Sequence, residues 1–130
     1  MNVLVTGCNG QLGQEIKKIA SSGFFYTDID ELDITSLNSI RTYVNNNKIN
    51  FVVNCAAYTA VDKAESEPAR AELINKIGPA NLAKACTEAE IPLIHISTDF
   101  VFDGKKKTPY VESDETNPLS VYGKTKLEGE

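Results

Sequence analysis

With 130 residues the chain has room for one domain with its own core, and a composition 42% hydrophobic and 24% charged is that of an ordinary globular protein. The net charge of −5 argues against a nucleic-acid partner, since a phosphate backbone demands clustered cations. No segment is apolar for long enough to make a membrane span, and the amino terminus lacks the basic, apolar, small-residue order of a signal peptide.

Val3-Leu4-Val5 is a short apolar, β-branched run that reads as a buried strand. It breaks into Gly7, Gly10 and Gly13, and then into a helix-period segment with Leu12, Ile16, Ile19 and Ala20 on one face. A strand, a glycine turn and a helix amino terminus build an anion site from main-chain N–H groups and the helix dipole. Glycines there let the backbone approach a pyrophosphate that a Cβ would hold off. The spacing is G-x-x-G-x-x-G, without the Gly-Lys-Ser/Thr ending of a P-loop, so a dinucleotide is expected rather than a nucleoside triphosphate. Phe24–Thr27 reads as a second strand ending at Asp28, with Asp30 close behind. A carboxylate about 20 residues beyond the first glycine is where such domains hold the adenosine ribose.

Asp33-Ile34-Thr35-Ser36 offers helix-capping side chains before Leu37, Ile40 and Val44 at helical spacing. Phe51–Asn54 is a third buried strand. A polar loop follows, in which Asp62 and Glu65 lack the third ligand a metal would need; they read as a solvated pair, and no metal is expected. Pro68 suits the first turn of a long helix whose stripe includes Leu73, Ile74, Ile77, Leu82, Ala83 and Cys86, with a kink at Gly78-Pro79. Pro92–Ser97 forms a fourth strand, and its lone His95 reads as a hydrogen-bonded core residue. Residues 99–120 are mostly loop, in which Lys105–Lys107 form a solvated turn, and a last helix begins near Val121. Cys8, Cys55 and Cys86 show no metal spacing and fit free thiols in a reducing cytoplasm.

Alternating strands and helices, with strands that are apolar throughout, predict an α/β fold: a Rossmann-type doubly wound parallel sheet with helices on both faces. The chain stops inside its last predicted helix, so residues 1–130 read as the amino-terminal, cofactor-binding portion of a longer protein, with the substrate domain largely absent. Ligands of such sheets lie beyond the carboxyl ends of the strands, where Thr6, Asp28, Asn54 and Thr98 fall. Tyr122 and Lys126 stand four apart and share a helix face. A lysine cation beside a phenol favours phenolate, which makes tyrosine a usable proton donor and acceptor. Thr98, at the end of the fourth strand, offers a hydroxyl to hold a substrate carbonyl.

These residues together carry a resemblance. The Thr6-Gly7-x-x-Gly10-x-x-Gly13 turn, Asn54-Cys55-Ala56-Ala57, Ser97-Thr98-Asp99 and Tyr122-x-x-x-Lys126 resemble an extended short-chain dehydrogenase/reductase. More narrowly, the run Ala57–Glu65 and the run Ser97–Gly104 are similar to the dTDP-4-dehydrorhamnose reductase family, and the likeness spans Met1 to Glu130. It implies an oxidoreductase in which nicotinamide gives hydride to C4 of dTDP-4-dehydro-L-rhamnose, forming dTDP-L-rhamnose for surface polysaccharides. Tyr122 would protonate the new alkoxide, Lys126 would tune Tyr122 and hold the nicotinamide ribose, and Thr98 would bond the carbonyl. Gly7, Gly10, Gly13 and the N–H groups near Gln11 and Leu12 would cradle pyrophosphate. Asp28 or Asp30 would take the adenosine ribose, Asp33 and Ile34 the adenine, and Ala56, Ala57 and Tyr58 would flank the cofactor. Asn75 matches an asparagine that the superfamily keeps near its active site, or else satisfies a kinked backbone.

A carboxylate at Asp28 with no arginine nearby favours NADH, with NADPH left open. Dehydratases of the superfamily carry Asp-Glu after the threonine; here Phe100 follows Asp99, which favours simple reduction. The alternatives are another sugar-nucleotide epimerase or dehydratase, and a non-catalytic cofactor-binding regulator like the methionine adenosyltransferase β subunit. The expected partner is a sugar nucleotide in the cytoplasm, a homodimer is left open, and the 130 residues alone are expected to show no useful turnover.

Overall fold

The computed structural model describes residues 1–20 and 22–130. Four strands, β1 (Val3–Thr6), β2 (Phe24–Thr27), β3 (Phe51–Asn54) and β4 (Leu93–His95), form one parallel sheet in the order β2-β1-β3-β4. β1 is an interior strand, and its successive residues Leu4 and Val5, which point to opposite faces of the sheet, are both fully buried, which is why the strand is apolar throughout. The registers place Thr6 opposite Thr27 and Asn54, and Asn54 opposite His95, so the carboxyl ends of the strands lie level along one edge.

The chain leaves β1 in one direction to reach β2, then returns past it to β3. Right-handed crossovers therefore put α1 (Gln11–Ile19) on one face, and α2 (Leu37–Asn46) with α5 (Gly78–Glu88) on the other. The main core lies on the second face, where Leu4 and Val52 of the sheet meet Ile40 and Val44 of α2 and Leu82 and Cys86 of α5. This is the doubly wound arrangement the sequence predicts.

Four details differ from the sequence-based expectation. Only half of the apolar stripe of α1 packs: Ile16 and Ala20 are half-buried, Leu12 is 43% and Ile19 86% exposed, and the one fully buried residue of the helix is Gly13. A Cβ on Gly13 would lie 2.5 Å from the Gly7 carbonyl oxygen, so α1 packs on the turn through its glycine. β4 ends at His95, two residues short of the predicted Ser97, because its partner β3 ends at Asn54; one further bond, Ile96 N–H to Asn54 O at 3.3 Å, closes the ladder. The loop after β3 contains a short helix, α3 (Val61–Ala64), whose Ala64 is fully buried.

The fourth concerns the kink in the long helix. α4 (Pro68–Glu72) passes into α5 through a π-helical segment, Leu73–Ile77, that precedes Gly78-Pro79. Pro79 has no N–H to offer the Asn75 carbonyl one turn back, and the turn widens until the Gly78 N–H meets the Leu73 carbonyl. Between β4 and α6 (Val121–Leu127), a 3-10 turn at Asp99–Val101 interrupts the loop.

Candidate active site

A cleft of about 650 Å³ opens at the carboxyl edge of the sheet. The glycine turn forms one wall. Gly7 sits at φ +65°, and a Cβ there would stand 2.6 Å from Ala56 N and Cα, so the β1–α1 turn and the chain leaving β3 touch backbone to backbone. Gly10 caps α1 in extended conformation and is exposed to the cleft. α1 has no side-chain cap and no acidic residue in its first turn, so the N–H groups at Gln11 and Leu12, both lining the cleft, are left for an anion. Gly13 lies behind the turn and serves packing.

Asp28 closes the neighbouring corner. Its carboxylate accepts from Asn9 N–H at 3.0 Å and from Ile29 N–H at 2.9 Å, tying the end of β2 to the glycine turn. The chain then makes a tight turn, with Leu32 N–H bonded to the Asp28 carbonyl at 2.8 Å. That turn leaves Asp30 exposed and outside the cleft wall, so of the two carboxylates Asp28 is the one positioned for a ribose. Asp33 and Ile34 line the cleft beyond it; the Asp33 carboxylate holds the Thr35 N–H and hydroxyl, each at 2.8 Å.

Ala56 and Ala57 line the floor, whereas Tyr58 does not. Its hydroxyl donates to Glu67 at 2.8 Å in a second apolar cluster, and burial there, together with the Glu67 carboxylate, raises its phenol above the usual range. The Tyr58 peptide is clamped by Asn75, whose Oδ1 accepts from Tyr58 N–H at 2.8 Å and whose Nδ2 donates to Tyr58 O at 3.1 Å. The same Nδ2 donates to Thr125 Oγ1 at 3.2 Å, so Asn75 joins the floor of the cleft to α6 and has no donor left for a ligand.

α6 brings Tyr122 and Lys126 to the far end of the cleft, both at least nine-tenths buried. Lys126 Nζ donates to the Ile96 carbonyl at 2.5 Å, and burial pushes its pKa below the usual lysine range, with Glu130 opposing. The Tyr122 hydroxyl has no hydrogen-bond partner among the described residues. Thr98 serves a local role: its hydroxyl accepts from Phe100 N–H at 3.2 Å and caps the 3-10 turn, while the neighbouring Ser97 lines the cleft. The turn packs on α6, with the Phe100 ring edge-on to Tyr122 at 5.5 Å.

Asn54 levels the strand ends. Its Oδ1 accepts from the Thr6 hydroxyl at 2.6 Å and from Ala56 N–H at 3.1 Å, and its Nδ2 meets His95 Nδ1 at 2.9 Å. An amide donor at Nδ1 leaves the proton of neutral His95 on Nε2. Burial, then the nearby Lys126 cation, pushes His95 down to about 4. Asn9, Cys55, Thr59, Ile74, Ile96 and Ser97, to which the sequence alone assigns no site role, also line the cleft. Most flank a predicted residue, but Ile74 enters through the π-helical segment, for which sequence periodicity gives no sign.

A glycine turn, a ribose carboxylate and a tyrosine–lysine helix around one cleft can be set beside known proteins. The RmlD substrate binding domain family matches residues 1–130. The chain belongs to that family. It is 46% identical, over 98% of its length, to the dTDP-4-dehydrorhamnose reductase of Mycolicibacterium smegmatis, of which it covers 40%. A dTDP-4-dehydrorhamnose reductase crystal structure from Clostridium acetobutylicum superposes with a TM-score of 0.96 at 50% identity, covering 99% of this chain and 47% of that one. One from Bacillus anthracis, solved in complex with NADP, gives a TM-score of 0.95 at 36% identity, covering 99% and 48%. The chain thus spans less than half the length of these relatives.

Proposed function

We propose that the protein carrying this domain is a nicotinamide-dependent oxidoreductase that reduces the C4 carbonyl of dTDP-4-dehydro-L-rhamnose to the alcohol of dTDP-L-rhamnose. The observation that carries this reading is the meeting of Tyr122 and Lys126 with the glycine-turn cleft. The cleft volume of about 650 Å³ lies in the range of ligand pockets. Gly7 and Gly10 give the cleft the Cβ-free backbone that a pyrophosphate needs, and Gly13 lets α1 pack close behind them.

A bound reduced nicotinamide dinucleotide would supply the hydride that the carbonyl carbon receives. The Gln11 and Leu12 amides take the pyrophosphate charge, and Asp28 accepts from the adenosine ribose. Asp33 and Ile34 border the adenine end, while Ala56 and Ala57 form a small-residue floor. Tyr122 gives its phenolic proton to the carbonyl oxygen as the carbon is reduced, so the product leaves as a neutral alcohol. Lys126, one turn further along α6 at the same end of the cleft, would hold the nicotinamide ribose. The adenosine end is bordered by Asp28 and Asp33, and Lys126 at the opposite end is the one cation among the described residues that line the cleft. A 2′-phosphate meets repulsion there, which favours NADH over NADPH.

The test is turnover by the full-length protein, supplied with NADH and dTDP-4-dehydro-L-rhamnose, with the sugar product identified. Formation of dTDP-L-rhamnose is expected, with the lower Kd for NADH. NADH binding without reduction of this sugar nucleotide would contradict the assignment, and a much lower Kd for NADPH would overturn the cofactor preference.

A further inference from the structure

We propose that Glu65 is a positioning residue for Tyr122, acting from outside the cleft as an amino-terminal cap of α6. The proposal rests on Tyr122 being the proton donor.

α6 is seven residues long, too short to be stable on its own sequence, so its register depends on what holds its ends. Its own cap, Ser120, takes the Gly123 N–H at 3.0 Å, and its first turn contains no acidic residue. The amide that opens the helix, Val121 N–H, is taken by Glu65 Oε1 at 2.8 Å, reaching across from the carboxyl end of α3. The carboxylate therefore meets the positive end of the α6 dipole as well as an orphan donor.

Glu65 is held for this task. The residue before it, Ala64, is fully buried in the cluster that contains Tyr58, Ala71 and Tyr122, with Val61 and Val121 packed against it. Tyr122 follows the capped residue directly, so a shift in the first turn moves the phenol itself. The chain that carries Glu65 also supplies Cys55, Ala56, Ala57 and Thr59 to the cleft. One segment thus forms the floor and sets the height of the tyrosine above it.

The experiment uses the full-length protein in the reductase assay, with kcat and the KM for NADH measured separately. Glu65→Ala removes the acceptor, and Glu65→Gln keeps an acceptor without the charge. Val121→Pro deletes the donor while placing at the first helical position a residue that position favours. Ser120, at φ −117° and ψ 159°, already has the conformation that a residue before proline adopts. A cap of ordinary strength, if all of it is lost from the transition state, corresponds to about a fivefold fall in kcat. Glu65→Ala and Val121→Pro are each expected to show such a fall with the KM for NADH unchanged. Glu65→Gln should recover most of it, and the double variant should be no worse than either single one. A Glu65→Ala kcat within about twofold of wild type, additive losses in the double variant, or a KM for NADH that rises as kcat falls would overturn the proposal. Tyr122→Phe in the same assay separates the two readings. If it retains turnover, the proton-donor assignment fails; if it collapses while the Glu65 variants stay active, only the positioning role fails.

Discussion

Gly7→Ala tests how the cleft is built. The methyl group would stand 2.6 Å from Ala56 N and Cα and 2.8 Å from the Cys55 carbonyl carbon, all backbone atoms that no rotamer change can move. Alanine at φ +65° adds a left-handed conformation costing about 1–2 kcal/mol. Separating β1 from β3 at this point adds about 1–3 kcal/mol, the range for overpacking a well-filled site. The sum, about 2–5 kcal/mol, is a large part of the stability of a domain this size. Gly104→Ala is the matched control, because Gly104 has φ +72° but nothing within 4 Å of its Cβ position, so it carries only the conformational cost. Gly10→Ala completes the set: its backbone is ordinary extended chain, and its Cβ would meet only the Gly7 carbonyl oxygen at 3.2 Å. It should stay within about 1 kcal/mol of wild type and lose NADH affinity, since the methyl group faces the pyrophosphate position. The assays are urea unfolding followed by circular dichroism, and titration with NADH. Gly7→Ala no less stable than Gly104→Ala, or Gly10→Ala binding NADH as wild type does, would refute this account of the turn.

Other variants probe the network around the cleft. His95 has its folded pKa near 4, below the usual imidazole value of 6.5, so the unfolded chain takes up a proton first as the pH falls. Stability is full above about pH 6.5 and is lost toward pH 4 at about 1.4 kcal/mol per unit, about 3 kcal/mol in all. His95→Gln, whose amide oxygen can accept from Asn54, should flatten that slope in unfolding curves measured from pH 4 to 7; an unchanged slope would show that another group titrates. Asn75→Ala strands the buried Tyr58 peptide groups and should cost about 2–4 kcal/mol in urea unfolding, whereas a loss under about 1 kcal/mol would show the clamp to be dispensable. Cys86, buried and pushed up to about 11, should resist a disulfide reagent at pH 8 in the native protein and react once urea unfolds it; rapid native labelling would contradict its burial.

Wherever one backbone or side-chain property decides the outcome, the fold is legible in the sequence. The apolar strands, the glycine turn, Asp28 and the Tyr122–Lys126 spacing all place themselves by local pattern. Where two distant segments decide jointly, the pattern is silent or misleading. Leu12 and Ile19 form an apolar stripe, yet α1 packs through Gly13 because the Gly7 carbonyl lies there. Tyr58 stands beside Ala57 in the chain, but Glu67 and the second cluster draw its ring away from the cleft. Glu65 reads as a solvated carboxylate and is exposed, but nothing local shows that it also takes the Val121 N–H of α6. Asn75 reads either as an asparagine near the active site or as a partner for the kinked backbone; its three hydrogen bonds go to the Tyr58 peptide and to Thr125 of α6, partners that no local pattern announces.

The central claim is that Tyr122 delivers a proton to a substrate carbonyl at the end of this cleft. The most direct test compares NADH oxidation by the full-length protein and its Tyr122→Phe variant, with dTDP-4-dehydro-L-rhamnose as substrate and NADH affinity measured alongside. The account predicts unchanged NADH binding and a fall in kcat of about 10²–10⁴, the range for a lost general acid. A variant that binds NADH and still reduces the sugar at a rate near wild type would contradict it.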